Sequence, residues 1–309
     1  INNMNNETLD VSVVIPVYNC EKTIKETINS ILIQTGISFE IIVIDDGSND
    51  ETARIVNEIC DERIKYFYQN NSGISVALNN GIKRAAAKYI ARIDGDDIAL
   101  PTRLETQFYM LESNPDVAMV ASAVEFINDD GIVIGRSFPY TSKYFIRDVL
   151  SHHNIYAHPS VMFRKKTILS VGGYNSLLSG YCEDYYLWMQ IIKLGKIINV
   201  SVPLTQYRIS SGQITDWQPS KNYYKVMNRI INSKYIDVNL VNKLAEIKQL
   251  EKEKCKNKAV NNIREEIIKK NIFNLAFNIL ISFRVSRKFA SNTICICKNI
   301  TTLMKVFLT

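Results

Sequence analysis

Residues 89–101, "YIARIDGDDIALP", place three carboxylates within four positions directly after an apolar run. The apolar run is typical of a strand that enters a sheet. Asp94, Asp96 and Asp97 would repel one another there unless a cation, strong hydrogen bonds or exposure in a turn compensates the charge. Which of these applies depends on what the rest of the chain brings to the same place.

Upstream of this stretch the chain alternates between two patterns. Apolar runs rich in β-branched residues, typical of buried strands, occur at 11–19, 39–48 and 64–70. Between the runs, apolar residues recur at helical spacing, which predicts helices around 20–34, 50–60 and 74–87. Apolar strands that alternate with helices predict an α/β fold with a parallel sheet covered on both faces.

Polar side chains follow each predicted strand at its carboxyl end. They are Tyr18 and Asn19, then Asp45 and Asp46, then Asn70 to Gly73, and finally Asp94 to Asp97. Parallel sheets of this class bind ligands at the carboxyl ends of their strands. The sequence therefore predicts one binding site at that edge of the sheet.

The downstream half has less regular signals. Residues 117–135 read as a strand pair around a turn, 158–165 as a short strand, and 196–210 as a last strand. Residues 180–195 predict a helix that ends at Gly195 and whose apolar face includes Leu187, Ile191 and Leu194. The predicted organisation is an N-terminal extension (1–10), a main domain (11–215) and a basic helical C-terminal region (216–309).

Charge and cysteine content narrow the class of protein. Residues 1–215 hold 19 Lys and Arg against 24 Asp and Glu, whereas residues 216–309 hold 18 against 7. No apolar run approaches the roughly 18 residues that cross a bilayer, so no membrane span is expected. The six cysteines include no CxxC pair. Together with the lack of a recognisable signal peptide, this favours a reducing, cytoplasmic setting.

The aspartates suggest metal and nucleotide chemistry. If the extended conformation continues through Gly95, Asp94 and Asp96 project to one side and could hold Mg2+ or Mn2+. Asp45 and Asp46 could accept hydrogen bonds from a base or a ribose, and Tyr18 offers an aromatic face. The alternatives are acidic turns for the carboxylates and core packing for Tyr18. Neither GxxxxGK[ST] nor GxGxxG occurs, so those phosphate-binding loops are absent.

Five segments together resemble a known family. They are "VVIPVYN" (13–19), "IIVIDDGSNDET" (41–52), "NNSGISVALNNGI" (70–82), "ARIDGDD" (91–97) and "GYCEDYYLW" (180–188). In this order they resemble the inverting, GT-A-fold glycosyltransferases of family 2, over about residues 11–210. The likeness is greatest to bacterial members that build lipopolysaccharide, capsule or glycan repeat units. It implies a Rossmann-like, mostly parallel mixed sheet flanked by helices, with a C-terminal helical extension.

The resemblance implies a role for each matching residue. The nucleotide-binding set is Pro16, Val17, Tyr18, Asp45, Asp46, Asn71, Gly73, Asn79 and Asp94. Within it, Pro16 to Tyr18 would line the base pocket, and Asp45 and Asp46 would contact uracil and ribose. Asp96, with Asp94, would ligate Mn2+ or Mg2+. Family members often carry Arg before the Asn of the "NxGI" segment, but this chain has Leu78 before Asn79. The candidates for the diphosphate's cationic partner are therefore Arg92, Arg208 and Lys83.

The "ED" pair supplies the predicted base. Transfer to a hydroxyl needs a carboxylate that takes its proton, and the resemblance assigns this to Asp184, with Glu183 orienting the acceptor. The alternative is that both simply favour the helix start electrostatically. Asp97 and His158 are further candidates for diphosphate or acceptor contacts, although a lone His is often structural. Residues 206–215 do not form the QxxRW motif of processive synthases, which favours one sugar per encounter.

These features predict transfer of a hexose (Glc, Gal or an N-acetylated form) from a UDP-sugar to a glycan hydroxyl, on a polyprenyl-diphosphate-linked acceptor. The alternatives are a sugar nucleotidyltransferase and a non-catalytic nucleotide-sugar binding module. Residues 263–289 combine an apolar stripe with basic edges, which suits an anionic membrane surface and a peripheral location on the inner face. The alternatives for that stripe are packing on the main domain or in a homo-oligomer. Nucleic acid is not expected, because aromatic and basic residues do not interleave.

Overall fold

A computed structural model of the protein describes residues 9–137, 139, 149–150, 154–210, 220–233 and 235–255. Within these ranges nine strands form one sheet. The strands are β1 (Val11–Val17), β2 (Phe39–Asp45), β3 (Ile64–Tyr68), β4 (Tyr89–Arg92), β5 (Ile98–Ala99), β6 (Val117–Ile127), β7 (Val133–Arg136), β8 (Met162–Arg164) and β9 (Lys196–Arg208). Their order across the sheet is β3-β2-β1-β4-β8-β6-β9-β5, with β7 paired to β6.

The first four strands form the parallel half of the sheet. β1 runs parallel to both β2 and β4, and β2 runs parallel to β3. In this register Val17 pairs with Asp45, and Asp45 pairs with Tyr68, so three strands end side by side. β8 enters antiparallel between β4 and β6, and β9 then runs parallel to β6. The mixed, mostly parallel α/β sheet expected from the sequence is confirmed.

Helices cover both faces of this sheet. They are α1 (Ile24–Leu32), α2 (Thr52–Asn57), α3 (Ile74–Arg84), α4 (Arg103–Glu112), α5 (Lys165–Ser170), α6 (Glu183–Ile191), α7 (Lys221–Asn232) and α8 (Val238–Cys255). Side chains of β1 alternate between two buried clusters. Val13 and Ile15 pack with α1 and α4, whereas Val14 packs with α3 and α6. Because both faces are buried, β1 and β2 are mostly apolar rather than alternating.

The helix predicted over 180–195 is shorter than its pattern suggested. α6 ends at Ile191, and Leu187 and Ile191 are buried as predicted. Leu194 lies beyond the helix and is 58% exposed, so its assignment to the apolar face is wrong. The chain tightens into a turn after Ile191, and Gly195 approaches Ala118 closely enough that a Cβ there would lie 2.9 Å from the Ala118 Cβ.

The region after β9 joins the core of the main fold. Tyr223 and Met227 from α7 and Leu244 from α8 are buried in the same cluster as Tyr185 and Trp188 of α6. The boundary near residue 215 stays a prediction, but α7 and α8 pack on the element that carries the predicted base.

Residues 256–309, which include the predicted membrane-binding stripe at 263–289, lie outside the described ranges. Within the described part of the chain, no helix combines the length and apolarity needed to cross a bilayer.

Candidate active site

The loops that follow β1, β2 and β3 are tied together at the carboxyl edge of the sheet. The Asn19 backbone N–H donates to Ser48 Oγ (2.9 Å), and the Asn49 N–H donates to Asn19 Oδ1 (2.9 Å). The Asn71 backbone lies so close to Gly47 that a Cβ there would come within 2.9 Å of the Asn71 nitrogen. The predicted polar clusters therefore do meet at one edge.

The carboxylates of Asp45 and Asp46 hold these loops in place. Asp45 accepts hydrogen bonds from the Ser48 N–H (2.7 Å) and the Tyr66 hydroxyl (2.7 Å). Asp46 accepts from the backbone N–H groups of Ser72 and Gly73, both at 2.8 Å. Asp46 also accepts from the Gln69 amide (2.8 Å). The two residues thus fix the loops that follow β2 and β3, and their contacts with a nucleotide stay a prediction.

Tyr18 presents its ring at this edge. The side chain is 50% exposed, whereas Pro16 and Val17 before it are buried in β1. Val17 packs beneath Gly95, where a Cβ would lie only 2.9 Å from Val17 Cγ1. Val17 therefore supports the aspartate loop from below, while Tyr18 offers the accessible aromatic face.

Gly73 and Asn79 shape the opposite wall. Gly73 adopts φ 86° directly before α3, a conformation that favours glycine, and its N–H points to Asp46. The Asn79 amide donates to the Tyr174 carbonyl (2.8 Å) and accepts from the Tyr174 N–H (2.9 Å). Both polar atoms of Asn79 thus bind the 172–174 segment, so the observed role of Asn79 is to join α3 to that segment.

The aspartates of 94–97 are brought together by a turn and not by an extended strand. β4 ends at Arg92, and the Asp97 N–H donates to the Asp94 carbonyl (3.3 Å). The strand-alternation argument for Asp94 and Asp96 is therefore wrong. The turn nevertheless brings ligand atoms of Asp94, Asp96 and Asp97 within 4.8 Å of one another.

These three residues fit a divalent cation. Carboxylate oxygens are the ligands that Mg2+ and Mn2+ prefer. Within the described part of the chain, Asp97 Oδ2 is buried without a hydrogen-bond partner. Burial and the charges of Asp94 and Asp96 raise the pKa of Asp97 well above its usual value. A cation bound beside these carboxylates would relieve both the repulsion and the unsatisfied oxygen.

Arg92 already neutralises part of this cluster. Its guanidinium is 1% exposed and donates to both Asp94 oxygens, with 2.7 Å from Nη1 to Oδ2. The bidentate pair leaves the Arg92 guanidinium directed at Asp94, so its contact with a diphosphate stays a prediction.

Arg208 fixes the turn from the end of β9. The Arg208 backbone N–H donates to Asp97 Oδ1 (2.8 Å), and the Nε of its guanidinium donates to the Asp96 carbonyl (2.8 Å). The same guanidinium bonds the Asn128 and Asp129 carbonyls (3.0 Å each) and the Glu26 carboxylate (2.6 Å). The observed role of Arg208 is to join the turn to these loops and to α1, and its contact with a diphosphate stays a prediction.

Lys83 lies near the amino ends of the strands, opposite the carboxyl ends that carry the site. It belongs to the last turn of α3. A helix that connects two parallel strands runs antiparallel to them, so its last turn lies at their amino ends. Lys83 is thereby removed from the site, and the expectation that it contacts the diphosphate is wrong.

Glu183 and Asp184 begin α6. Asp184 Oδ1 accepts from the Tyr185 N–H (2.6 Å), and Oδ2 accepts from the Asn154 amide (2.7 Å). Burial raises the pKa of Asp184 above its usual value. Burial, followed by the charge of Asp184, raises the pKa of Glu183 to about 7. At neutral pH this pair can therefore hold or release a proton, as a catalytic base must.

His158 contacts two buried aromatic residues, Tyr174 and Trp188. His158 Nε2 lies 2.9 Å from the Tyr174 hydroxyl, and its ring meets Trp188 edge-on at 5.8 Å. Burial, with the Arg92 charge, holds the pKa of His158 well below its usual value. His158 is thus a neutral, hydrogen-bonded side chain, and its contact with an acceptor stays a prediction.

Asn154 is a site residue that the motifs did not indicate. It contacts Asp184 from 30 positions away, in a stretch without a recognisable pattern. An amide that binds one carboxylate oxygen fixes the orientation of the other. In the sequence, Asn154 is marked only by its place as a polar residue four positions before the "HPS" segment.

Arg92 links the two acidic groups of the site. Its positive charge acts on Asp97 and, on the other side, lowers the pKa values of Glu183 and Asp184. The site therefore has an aspartate turn that fits a cation and an acidic pair with raised pKa values, and the charge of one buried guanidinium acts on both. Such an arrangement suits displacement of an anionic leaving group by a hydroxyl that loses its proton.

Comparisons with known proteins agree with this geometry. The model described as "Glycosyl transferase family 2" matches residues 12–170. The Escherichia coli O-antigen biosynthesis glycosyltransferase WbnJ is 36% identical over 210 residues, covering 64% of this chain and 79% of that protein. The E. coli UDP-Glc:alpha-D-GlcNAc-diphosphoundecaprenol beta-1,3-glucosyltransferase WfgD is 33% identical over 222 residues, covering 71% and 83%.

A solved structure shows the same fold. S. aureus TarS 1-349 in complex with UDP-GlcNAc superposes with a TM-score of 0.59 at 18% identity, over 88% of this chain and 81% of that one. With the aspartate turn and the acidic pair in place on a GT-A sheet, this chain belongs to glycosyltransferase family 2 and is a glycosyltransferase.

Proposed function

We propose that this enzyme is a metal-dependent, inverting hexosyltransferase that uses a UDP-sugar and a bacterial glycan acceptor carried on a polyprenyl diphosphate. The observation that carries the proposal is the acidic pair at the start of α6. Burial raises the pKa of Glu183 to about 7 and that of Asp184 above its usual value, beside the aspartate turn. A base of this kind is what transfer to a sugar hydroxyl requires.

The donor lies over the ends of β1 and β2 in this proposal. The uracil stacks on the exposed face of Tyr18. Asp45 and Asp46 contact uracil and ribose through acceptor capacity left after their loop contacts, because each carboxylate has about four lone-pair sites. The loop backbone at Asn71 and Gly73 closes the pocket.

Asp96 and Asp97, with Asp94, would hold Mn2+ or Mg2+, which would supply positive charge to the UDP leaving group. The chain's own contribution is to fix these carboxylates. Arg208 binds the backbone of the turn at Asp96 and the side chain of Asp97. Arg92 holds Asp94 in a bidentate pair.

Asp184 takes the proton in the transfer step. The acceptor oxygen forms a bond to the anomeric carbon, the bond from that carbon to the UDP oxygen breaks, and the hydroxyl proton passes to a carboxylate oxygen of Asp184. Asn154 keeps the Asp184 carboxylate oriented. Attack opposite the leaving group inverts the anomeric configuration. Glu183 then orients the acceptor.

Names of similar proteins support the substrate class. WfgD is named for UDP-Glc and for a GlcNAc-diphosphoundecaprenol acceptor, and TarS was solved with UDP-GlcNAc. UDP is therefore the first nucleotide to examine, and a diphosphate lipid the first carrier. The sugar itself is left to experiment.

The test is a donor screen. Full-length protein is incubated with UDP-glucose, UDP-galactose and their N-acetylated forms, with and without Mn2+ or Mg2+, and UDP release is measured with diphosphate-lipid acceptors bearing one sugar. We expect one donor to give acceptor-dependent UDP release and an inverted product. Pyrophosphate release would instead indicate nucleotidyl transfer, and donor binding without turnover would indicate a binding module.

The location proposed is the inner face of the cell membrane. Its support is the charge asymmetry of the sequence and the basic stripe at 263–289. The full chain is expected to sediment with anionic vesicles at low salt, because each Lys or Arg near such a surface contributes about 1 kcal/mol. Replacing Lys269, Lys270, Arg284, Arg287 and Lys288 with Gln should abolish this. Equal sedimentation of both proteins would contradict the location.

A further inference from the structure

Helix α3 is fastened on one side to the segment that leads into α6. The Ser75 backbone N–H donates to Ser179 Oγ (3.2 Å), and Gly73 lies so close that a Cβ there would come within 2.8 Å of the same oxygen. One turn further along, both polar atoms of Asn79 bind the Tyr174 backbone, at 2.8 and 2.9 Å. Residues four apart share one face of a helix, so this face of α3 holds the segment at two points.

The segment, residues 172–182, connects these contacts to the acidic pair. Ser179 lies four residues before the first member of the pair. The Tyr174 side chain is buried, and its hydroxyl lies 2.9 Å from His158 Nε2. The His158 ring in turn meets Trp188 of α6 edge-on. Because closely packed side chains transmit displacements, a shift of the 172–182 segment would also move the start of α6.

The other side of α3 is fastened to the donor side of the site. The Asn80 amide donates to Gln69 Oε1 (2.7 Å), and Gln69 Nε2 donates to Asp46 Oδ1 (2.8 Å). The Gly73 N–H donates to Asp46 Oδ2 (2.8 Å). Asn80 follows Asn79 directly and lies about 100° around the helix from it. Two neighbouring asparagines thus hold α3 to two different parts of the site.

Between these two attachments α3 is packed tightly on the sheet. A Cβ at Gly81 would overlap Val14 of β1 and would lie 3.3 Å from Ile44 Cγ1 of β2. Ala77 and Leu78 are buried in the cluster that contains Val14 and Ile44. A helix packed this closely moves as a unit, so it keeps a fixed separation between its two attachments.

We propose that Asn79 and Ser179 are positioning residues for the acidic pair: through the 172–182 segment they set where α6 begins relative to the donor side of the site. Both act through the segment and not on the reacting atoms. The inference rests on the proposed role of Asp184 as base. It assigns the effect of Asn79 to the transfer step, whereas the motif that contains Asn79 suggested a contact with the nucleotide.

The first test compares the two asparagines by steady-state kinetics. Asn79→Ala removes both contacts with the Tyr174 backbone. We expect kcat to fall about 10- to 100-fold with the donor KM little changed, because a small misplacement of a catalytic group is costly. Asn80→Ala removes the contact with Gln69 beside Asp46, so the donor KM should rise about threefold to tenfold with kcat little changed.

Ser179→Ala is the milder variant, since it removes one hydrogen-bond acceptor and leaves the Asn79 contacts in place. We expect kcat to fall about threefold to tenfold in this variant. Ser176→Ala, exposed in the same segment, should match the wild type. A higher donor KM with unchanged kcat in Asn79→Ala would overturn the proposal, and so would wild-type kinetics in both Asn79→Ala and Ser179→Ala.

The second test does not depend on activity. Amide hydrogen exchange of the ligand-free protein reports local opening, which becomes more frequent when hydrogen bonds to the backbone are lost. In Asn79→Ala we expect exchange over 172–184 to rise about tenfold, with exchange over 69–76 unchanged. Ser179→Ala should show the same pattern with a smaller rise, and Asn80→Ala should show a rise over 69–76 alone.

Equal rises over both stretches in Asn79→Ala and Ser179→Ala would mean a general loosening of the fold and would overturn the positioning role. Unchanged exchange over 172–184 in both variants would overturn it as well, because the segment would then be held by other contacts.

The two tests separate the two proposals. If the donor screen shows no transfer, the proposed function fails while the exchange pattern still decides whether Asn79 and Ser179 hold the segment. If transfer occurs and both variants match the wild type in kinetics, only the positioning role fails.

Discussion

The two acidic groups of this site differ in the partners that hold their carboxylates. In the 94–97 turn, the Arg92 guanidinium pairs with Asp94, the Arg208 backbone N–H donates to Asp97 Oδ1, and the Arg208 Nε donates to the Asp96 carbonyl. At the start of α6, burial dominates and the pKa of Glu183 rises to about 7. The turn thus fits a cation, whereas the helix start carries Glu183, whose pKa lies near neutrality.

The difference shows that residue type alone does not assign a role in a pair of acidic motifs. Both motifs are short and rich in carboxylates. The turn gains its character from arginines on β4 and β9, which approach it directly. The helix start gains its character from its apolar neighbours, because burial is the main cause that raises the pKa values of Glu183 and Asp184.

Of the changes considered, we expect the largest effect on transfer from removing the proposed base, Asp184, at the start of α6. Asp184→Asn keeps the shape and can still contact Asn154, but it cannot accept the proton. We expect kcat to fall by about 10²- to 10⁴-fold with donor affinity unchanged. Single-turnover transfer and calorimetric binding of UDP check this. Transfer above about a tenth of the wild-type rate would move the base to Glu183.

The corresponding change in the 94–97 turn, Asp96→Ala, should reduce the stimulation of transfer by a divalent cation. Asp96→Ala removes a carboxylate and leaves its backbone carbonyl for Arg208, so the fold should persist. We expect the stimulation by Mn2+ or Mg2+ to fall about 100-fold, as loss of several kcal/mol of charge stabilisation implies. Asp130→Ala, exposed in the β6–β7 turn, is the control. Full stimulation in Asp96→Ala would remove Asp96 from the cation site.

Stability should respond to pH at the α6 side. The pKa of Glu183 is about 7 in the fold against 4.5 ordinarily, so the folded state binds the proton more tightly than the unfolded state. Its stabilising contribution is complete below about pH 4.5 and is lost as pH rises through 7. Glu183→Gln should therefore gain about 2–3 kcal/mol over the wild type between pH 4.5 and 8.

Denaturant unfolding at several pH values measures this gain. Glu246→Gln, exposed on α8, should follow the wild type at every pH. A constant difference between Glu183→Gln and the wild type would show that Glu183 titrates normally, and the contrast between the two acidic groups would then disappear.

The smallest effect is expected at the donor side. Tyr18→Ala removes the exposed ring on which the base would stack, and stacking is worth about 1–3 kcal/mol per base. We expect the KM for the donor to rise about tenfold with kcat little changed. Tyr68→Ala, on the exposed end of β3, should leave the KM unchanged. An unchanged KM in Tyr18→Ala would place the base elsewhere.

Much of the parallel half of the molecule could be predicted from the sequence. Runs such as 11–17 and 39–45 are mostly apolar because both faces of these strands are buried, and that pattern is local. The carboxyl ends of such strands must meet at one edge, so the grouping of Tyr18, Asp46 and Gly73 followed without coordinates.

The predictions failed where they needed long-range packing. We expected an extended backbone through Gly95, but the chain forms a turn there. Val17 and Cys20 pack closely against Gly95, and the Arg208 Nε donates to the Asp96 carbonyl. In the sequence, Arg208 lies near the end of the last predicted strand, and we interpreted it as a cation available to the diphosphate. Only the fold shows its guanidinium bound to loops and to α1.

The sequence by itself determined the alternation of strands and helices up to residue 92, the edge that carries the polar residues and the family. These depend on local periodicity and on short motifs, in which residues near in the chain remain near in space. Tertiary structure alone decided that the Arg208 guanidinium is engaged with Glu26 and the loops, and that Asn154 contacts Asp184. Asn154 lies 30 positions from Asp184 and Arg208 lies 182 positions from Glu26, and such contacts exist only after folding brings the partners together.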